Sequence, residues 1–97
     1  MWRLLLLRRS MSTRSKIPTR VREAVWRKRN GALLDGTCHC CHCSLDFLSF
    51  HCGHVVSHAS GGAATLDNLE PVCSVCNLNM GSMNLLIYRE AVQRGLF

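Results

Sequence analysis

The residues with the clearest chemical potential are two pairs of cysteines with the spacing Cys-x-x-Cys. Cys38 and Cys41 form the first pair, and Cys73 and Cys76 form the second, with a hairpin-sized insert between them. Two residues between thiolates allow both sulfur atoms of a tight turn to face one point, and two such turns supply the tetrahedral shell that Zn²⁺ accepts. Four thiolates leave no open coordination position, so the spacing predicts a structural zinc site.

The first pair can also be drawn in a second register. Cys40 and Cys43 lie within the same short segment and have the same spacing as Cys38 and Cys41. We favour Cys38 and Cys41, since the Gly-Thr pair directly before them suits the entry to a zinc knuckle. Cys40 and Cys43 remain the alternative.

Other uses of the cysteines are less favoured. The chain has seven cysteines, an odd number that cannot all pair as disulfides. The apolar run Leu4–Leu7 is too short for the core of a secretory signal, so a secreted disulfide scaffold is not expected. A thioredoxin-like redox motif would need no second Cys-x-x-Cys pair. A metal site in a reducing compartment is therefore the stronger interpretation.

A short chain must position this site. Its 97 residues predict one domain with a modest core, which often needs a covalent or metal staple. Zinc binding contributes on the order of 10 kcal/mol to folding in small modules. That is comparable with the whole stability of a small domain, so we expect folding to depend on the metal.

The charge favours a polyanionic partner. The net charge is +6, and of twelve basic residues only Arg89 and Arg94 follow the first cysteine. A basic chain of this kind is typical of nucleic-acid binding. Five basic residues of a predicted helix are the candidate nucleic-acid contacts: Arg20, Arg22, Arg27, Lys28 and Arg29.

The first sixteen residues form a separate segment. They are rich in Arg, Ser and Leu and contain no acidic residue, as in a mitochondrial transit peptide. A retained basic arm that contacts phosphates is the alternative. The sequence thus divides into segment 1–16 and a domain over 17–97, with a mitochondrial location expected and a nuclear or cytoplasmic one as the alternative. No segment predicts a membrane span.

The remaining pattern predicts short elements. Thr19 is expected to cap a helix over Arg20–Arg29 that ends at Asn30-Gly31. Leu45–Phe50 and Cys52–Val56 have the composition of two strands of a hairpin. A short helix is predicted over Ser74–Met80 and a final helix over Met83–Arg94, with Gly95 as its C-terminal stop.

From Cys38 onward the chain resembles the HNH endonuclease superfamily. The matching residues, in order, are Cys52-Gly53-His54-Val55-Val56, then Gly61-Gly62, then Asn68-Leu69-Glu70-Pro71-Val72-Cys73-Ser74-Val75-Cys76-Asn77. The continuation Asn77-Leu78-Asn79-Met80-Gly81 is similar to zinc-bound members. The resemblance implies an α+β fold: a zinc-stabilised ββα-metal domain with flanking helices.

The resemblance also implies roles for three residues. His54 matches the general base that takes a proton from the attacking water. Asn68 matches the asparagine that fixes the loop between hairpin and helix. Asn77 matches the ligand of a catalytic divalent ion such as Mg²⁺, which would bind the scissile phosphate. The implied function is hydrolysis of nucleic-acid phosphodiester bonds, with DNA favoured over RNA as the partner.

One departure from the family pattern leaves a second function open. Many members have a metal-binding Asp or His directly before the base, and this chain has Gly53 there. His51, His58 or Asp67 are the possible substitutes. The alternative function is a catalytically degenerate, zinc-stabilised module that binds nucleic acid or belongs to a ribonucleoprotein.

Overall fold

The computed structural model describes residues 17–96, and this range contains three helices and two small antiparallel sheets. The helices are α1 (Thr19–Asn30), α2 (Ser74–Met80) and α3 (Leu85–Gln93). The strands are β1 (Asp35–Thr37), β2 (Ser44–Asp46), β3 (His51–His54) and β4 (Leu69–Val72). Single 3₁₀ turns cover His58–Ser60 and Leu66–Asn68. The predicted α+β fold class is confirmed.

Helix α1 joins the N-terminal part of the described chain to the sheets. It begins at Thr19 with Pro18 before it, so Thr19 is the first helical residue and not the predicted cap. Its buried residues are Val25 and Trp26, and the Trp26 ring packs on Phe50 with 5.0 Å between ring centroids. The indole Nε1 donates a 2.7 Å hydrogen bond to the carbonyl of Leu33, which satisfies its polar atom.

The predicted hairpin is wrong in its pairing. Strand β2 pairs with β1, and β3 pairs with β4, so the two expected neighbours belong to different sheets. Between them Phe47 and Phe50 turn toward Trp26, and burying these rings outweighs continuing the strand. Strand β4 was not predicted, because Pro71 argues against a strand.

Two apolar clusters hold the elements together. One combines α1 with the sheet and contains Val25, Trp26, Phe50, Cys52 and Leu69. The other lies among the knuckle, α2 and α3 and contains Cys38, Cys40, Val72, Cys76, Met80, Leu85 and Tyr88.

Both helices of the second cluster were predicted, although α3 is shorter than expected. It begins after Asn84, whose side chain accepts hydrogen bonds from Leu86 and Ile87 N–H groups.

Segment 1–16, on which the transit-peptide prediction depends, lies outside the described residues. Among the described residues, no helix has the length and apolar character needed to cross a bilayer.

Candidate active site and zinc centre

His54 lies at the end of strand β3, opposite Leu69 of β4. Its ring is half-buried, and Nε2 is buried with no hydrogen-bond partner. The ring of His58 stands nearly perpendicular to it, with 6.4 Å between the centroids. Burial, together with the nearby charge of His58, lowers the pKa of His54 below its usual value. The imidazole is therefore neutral at pH 7 and able to accept a proton.

A cavity of about 490 Å³ opens in front of this histidine. Its walls come from α1, β3, the 3₁₀ turn after β3, and α2 with the residues that follow. Among residues 17–96, no carboxylate lies in these walls. The lining residues with polar side chains are Arg22, His51, His54, Ser57, His58, Asn77 and Ser82.

Asn77 reaches the same cavity from the other side. It is the fourth residue of α2, and its backbone N–H bonds to the carbonyl of Cys73. It is thus an interior helical residue and does not cap the helix. The structure brings Asn77 and His54 to one cavity from two different elements.

Asn68 lies outside the cavity lining and holds the loop that follows β3. Its Oδ1 accepts a 2.9 Å hydrogen bond from Val56 N–H, and its Nδ2 donates to the carbonyls of Val56 and Ala63 at 3.1 and 2.9 Å. Gly62 makes this close approach possible, because a Cβ atom there would overlap the Val56 carbonyl oxygen. The amide therefore fixes the chain two residues beyond His54.

Gly53 faces the core and not an empty ligand position. A Cβ atom at this residue would lie 3.1 Å from side-chain atoms of Leu85 and Val72 and 3.3 Å from Met80. These distances are tighter than ordinary contacts, so a larger side chain would require its neighbours to move. The side chains of Leu85, Val72 and Met80 therefore leave little room at residue 53 for the Asp or His that the resemblance leads one to expect.

The three possible substitutes for that ligand lie in different places. His51 and His58 line the cavity with His54 and Asn77. Asp67 is not among the lining residues, and its carboxylate accepts a 2.7 Å hydrogen bond from the Thr65 hydroxyl. The imidazole side chains of His51 and His58 are thus the available extra donors for a cation.

The five basic residues of α1 are not equivalent. Arg29 makes two hydrogen bonds to the Glu70 carboxylate at 2.8 and 2.9 Å, and Lys28 lies 3.5 Å from it. Burial alone would raise the pKa of Glu70, but the Arg29 hydrogen bond and the surrounding charges outweigh it and hold the pKa low. Arg22 lines the cavity, whereas Arg20 and Arg27 are exposed.

The candidate zinc centre lies beyond the far end of the sheet. The sulfur atoms of Cys38, Cys41, Cys43 and Cys73 all lie within 4.8 Å of one another. Three of these four residues belong to the predicted set, and Cys43 takes the place of Cys76. Four thiol sulfurs at this spacing are the donor set that zinc prefers, so the cluster fits a structural zinc ion.

Cys76 lies directly beside this quartet. Its backbone N–H donates to the Cys73 sulfur at 3.3 Å, and its buried thiol interacts with the thiols of Cys73 and Cys41. Cys40 is fully buried behind Cys38. With Cys40 and Cys76, more thiols therefore lie at the centre than the four that a tetrahedral ion binds.

The Cys38 sulfur is prepared for the thiolate form. A hydrogen bond from the Cys40 thiol, with backbone N–H groups of Cys40 and Cys73 at 3.4 and 3.3 Å, lowers the pKa of Cys38 to about 3. Burial raises the pKa of Cys43 to about 12. A cation at the centre would favour the thiolate of each ligand.

Comparison with protein families gave a match for the middle of the chain. Residues 37–82 match the family model of the HNH endonuclease. The cysteine cluster is consistent with a zinc-bound type of this domain. The match indicates a function related to nucleic acids. Searches of curated proteins and of solved structures gave no significant match.

Three contributions to the site could not be read from the sequence. Glu70 is buried and holds α1 through its hydrogen bonds to Arg29. The residues around Glu70 in the sequence give no sign that its carboxylate pairs with a helix. The approach of Arg22 to the cavity depends on the packing of α1 against the sheet. Cys43, which the sequence offered only together with Cys40 as the alternative register, joins the quartet through a reversal at His42, a non-glycine residue with φ of 66°.

Proposed function

We propose that this domain hydrolyses phosphodiester bonds of nucleic acids with His54 as the general base and a divalent cation as cofactor. The observation that carries the proposal is that His54 and Asn77, from a strand and a helix, meet at one cavity, and that the described residues which line it include no carboxylate. Such a lining does not repel a phosphate group, whose charge is negative.

His54 would accept the proton of a water molecule in the cavity as that water attacks phosphorus. Nε2 is buried, so the proton would be received at Nδ1. The lowered pKa keeps the ring unprotonated and ready at neutral pH. The P–O bond to the leaving oxygen then breaks, and that oxygen takes a proton from solvent. Asn68 holds the following loop so that the base keeps its direction.

The residues that would hold the cation are Asn77, through its amide oxygen, and the imidazole of His51 or His58. Imidazole nitrogens suit divalent transition ions, and the amide oxygen also suits Mg²⁺. When bound, the ion would stabilise the charge that develops on the leaving oxygen. The fit rests on amide and imidazole donors alone, because the described part of the lining offers no acidic side chain.

The test is a cleavage assay with zinc-loaded protein on DNA and RNA, with Mg²⁺, Mn²⁺ or Ni²⁺ added. We propose DNA as the better substrate. His54→Ala should abolish cleavage with zinc content and circular dichroism unchanged, and Asn77→Ala should weaken the response to the divalent ion. Asn79→Ala is the matched control, since Asn79 lies on the same helix but contacts Tyr88 outside the cavity. Absence of cleavage under every condition would contradict the proposal.

The alternative function is binding of nucleic acid without cleavage. The packed surroundings of Gly53 favour it, because they remove one ligand position. In that case His54→Ala would leave the affinity for DNA nearly unchanged. The convergence of His51 and His58 on the cavity favours the enzyme instead.

We also propose that segment 1–16 directs the protein to mitochondria and is then removed. Its support is the Arg-, Ser- and Leu-rich composition without acidic residues. Intact-mass measurement of native protein should find a chain that begins near residues 15–17. A chain that begins at Met1 would show that the segment is retained, as a phosphate-binding arm would be.

A further inference from the structure

Arg22 reaches the cavity from a helix that lies outside the matched segment. Its Nη2 donates a 2.8 Å hydrogen bond to the carbonyl of Phe50, the residue directly before β3. The guanidinium carbon lies 4.2 Å from the centre of the Phe50 ring. A hydrogen bond and a stacking contact to one residue fix the position of this long side chain.

The guanidinium keeps most of its hydrogen-bonding capacity. Arginine has five N–H donors, and in the described part of the chain Arg22 uses Nη2 alone, on Phe50. No carboxylate of residues 17–96 is in ion-pairing distance of it, whereas Lys28 and Arg29 both engage Glu70. Arg22 is therefore a half-buried cation whose charge is not neutralised by a neighbour.

The surroundings of Arg22 suit an anion with several oxygen atoms. The cavity lining combines this cation with His51, His54, His58 and Asn77, and no acidic residue of the described chain belongs to it. A half-buried arginine presents a planar fork of donors that matches two oxygens of a phosphate group. Arginine-to-phosphate contacts of this kind both attract and orient the ligand.

We infer that Arg22 binds the nonbridging oxygens of the phosphodiester group that enters the His54 cavity. Helix α1 thereby completes the site, which residues 37–82 alone would leave without a cation. The inference rests on the proposed function for its substrate, a nucleic-acid phosphodiester. It assigns Arg22 a role apart from the exposed Arg20 and Arg27, which can only approach more distant phosphates.

The first test compares cleavage by Arg22→Ala, Arg22→Lys and Arg94→Ala in the full chain. Arg94 is an exposed arginine paired with Glu90 and lies outside the cavity, so its removal is a matched change of charge. A lost charge-assisted contact predicts a fall in kcat/KM of about 10- to 100-fold for Arg22→Ala. Arg22→Lys should recover part of this, and Arg94→Ala should stay within about 3-fold of the parent. Equal kcat/KM for Arg22→Ala and the parent would overturn the inference.

A second readout separates binding from folding and from catalysis. Inorganic phosphate is titrated into ¹⁵N-labelled protein, and the His54 ring signals are followed by NMR. The parent and Arg94→Ala should show saturable shifts, which Arg22→Ala should lose while retaining its zinc content and melting temperature. If Arg22→Ala unfolds, the folded Arg22→Lys must bind phosphate more weakly than the parent for the inference to stand.

The two proposals can fail separately. Protein that never cleaves nucleic acid but binds phosphate through Arg22 would overturn the nuclease and leave the phosphate site intact. Protein that cleaves, with Arg22→Ala as active and as phosphate-binding as the parent, would keep the nuclease and overturn the role of Arg22.

Discussion

The Asn68 side chain hydrogen-bonds both backbone polar groups of Val56, accepting from its N–H at 2.9 Å and donating to its carbonyl at 3.1 Å. A single amide thus replaces a strand partner at the point where β3 has ended. The backbone carbonyl of Asn68 also accepts from Val55 N–H at 2.8 Å. His54 precedes this anchored pair, so its direction depends on Asn68, which does not line the cavity.

Replacing Asn68 should therefore affect activity and stability together. Asn68→Ala removes three hydrogen bonds and should destabilise the domain by about 1–3 kcal/mol. Asn68→Asp keeps an acceptor for Val56 N–H but places a carboxylate against two carbonyl oxygens, so it should not restore the parent. Chemical denaturation measures the first effect and kcat the second, with Asn79→Ala as the control. An Asn68→Asp variant with parental kcat would show that the loop needs only the acceptor.

The contact between Arg29 and Glu70 predicts an asymmetric cost of mutation. Glu70 keeps 8% of its side-chain exposure, whereas Arg29 keeps 47%. Arg29→Ala leaves a buried carboxylate with Lys28 alone and should cost about 1–3 kcal/mol of unfolding free energy. Glu70→Gln leaves the arginine in contact with solvent and should cost less. The double variant should be more stable than Arg29→Ala alone.

The control for this pair is Arg94→Ala, since Arg94 and Glu90 are both exposed and should contribute less than about 1 kcal/mol. The pKa of Glu70 is lowered in the folded state, so the unfolded chain takes up its proton first as the pH falls. The contribution of Glu70 should be present above pH 4.5, its unperturbed pKa, and lost as the pH falls through the folded value. Equal loss for Arg29→Ala and Glu70→Gln would contradict the asymmetry.

Structural features that depend on residues close together in the sequence were predicted better than features that depend on distant residues. Helix α2 and the cysteine knuckles follow from local spacing, and they were predicted. The partners of β2 and β3 depend on where the Phe47 and Phe50 rings are buried, which is a tertiary choice that residue patterns do not contain. The predicted hairpin failed for that reason.

The candidate site shows the same division. His54 and Asn77 were found because their neighbours resemble a known pattern, and the structure brings both to one cavity. The different roles of Arg22 and Arg29 were not separable in a run of basic residues. Only the packing of α1 directs Arg22 toward the cavity and Arg29 toward Glu70.

The pH dependence of cleavage should report on His54. Its pKa is lowered by burial and by His58, and only the unprotonated ring can accept a proton. The rate should therefore rise with pH through a midpoint below 6.5 and then level off. A midpoint above 6.5 in the parent would contradict the assignment.

The thiols around the candidate zinc centre leave two candidates for the fourth ligand. Cys38 and Cys73 belong to both candidate sets, and their sulfurs accept backbone N–H groups that stabilise a thiolate. Cys43 and Cys76 compete for the fourth position, since one is in the quartet and the other lies beside it. Cys43→Ser and Cys76→Ser should each keep one zinc per chain with weaker affinity, because the remaining thiol completes the shell. The double variant should lose the metal and, with it, on the order of 10 kcal/mol of folding free energy.

Elemental analysis and competition with a chelator measure this directly, and circular dichroism reports whether the fold survives. Cys52→Ser is the matched control for the loss of a thiol, because Cys52 is buried in the α1 cluster away from the centre. It should keep its zinc. Loss of zinc in Cys76→Ser with full retention in Cys43→Ser would assign the fourth ligand to Cys76, and the reverse would assign it to Cys43. Either result would rule out exchange between the two thiols, whereas retention in both single variants and loss in the double variant would establish it.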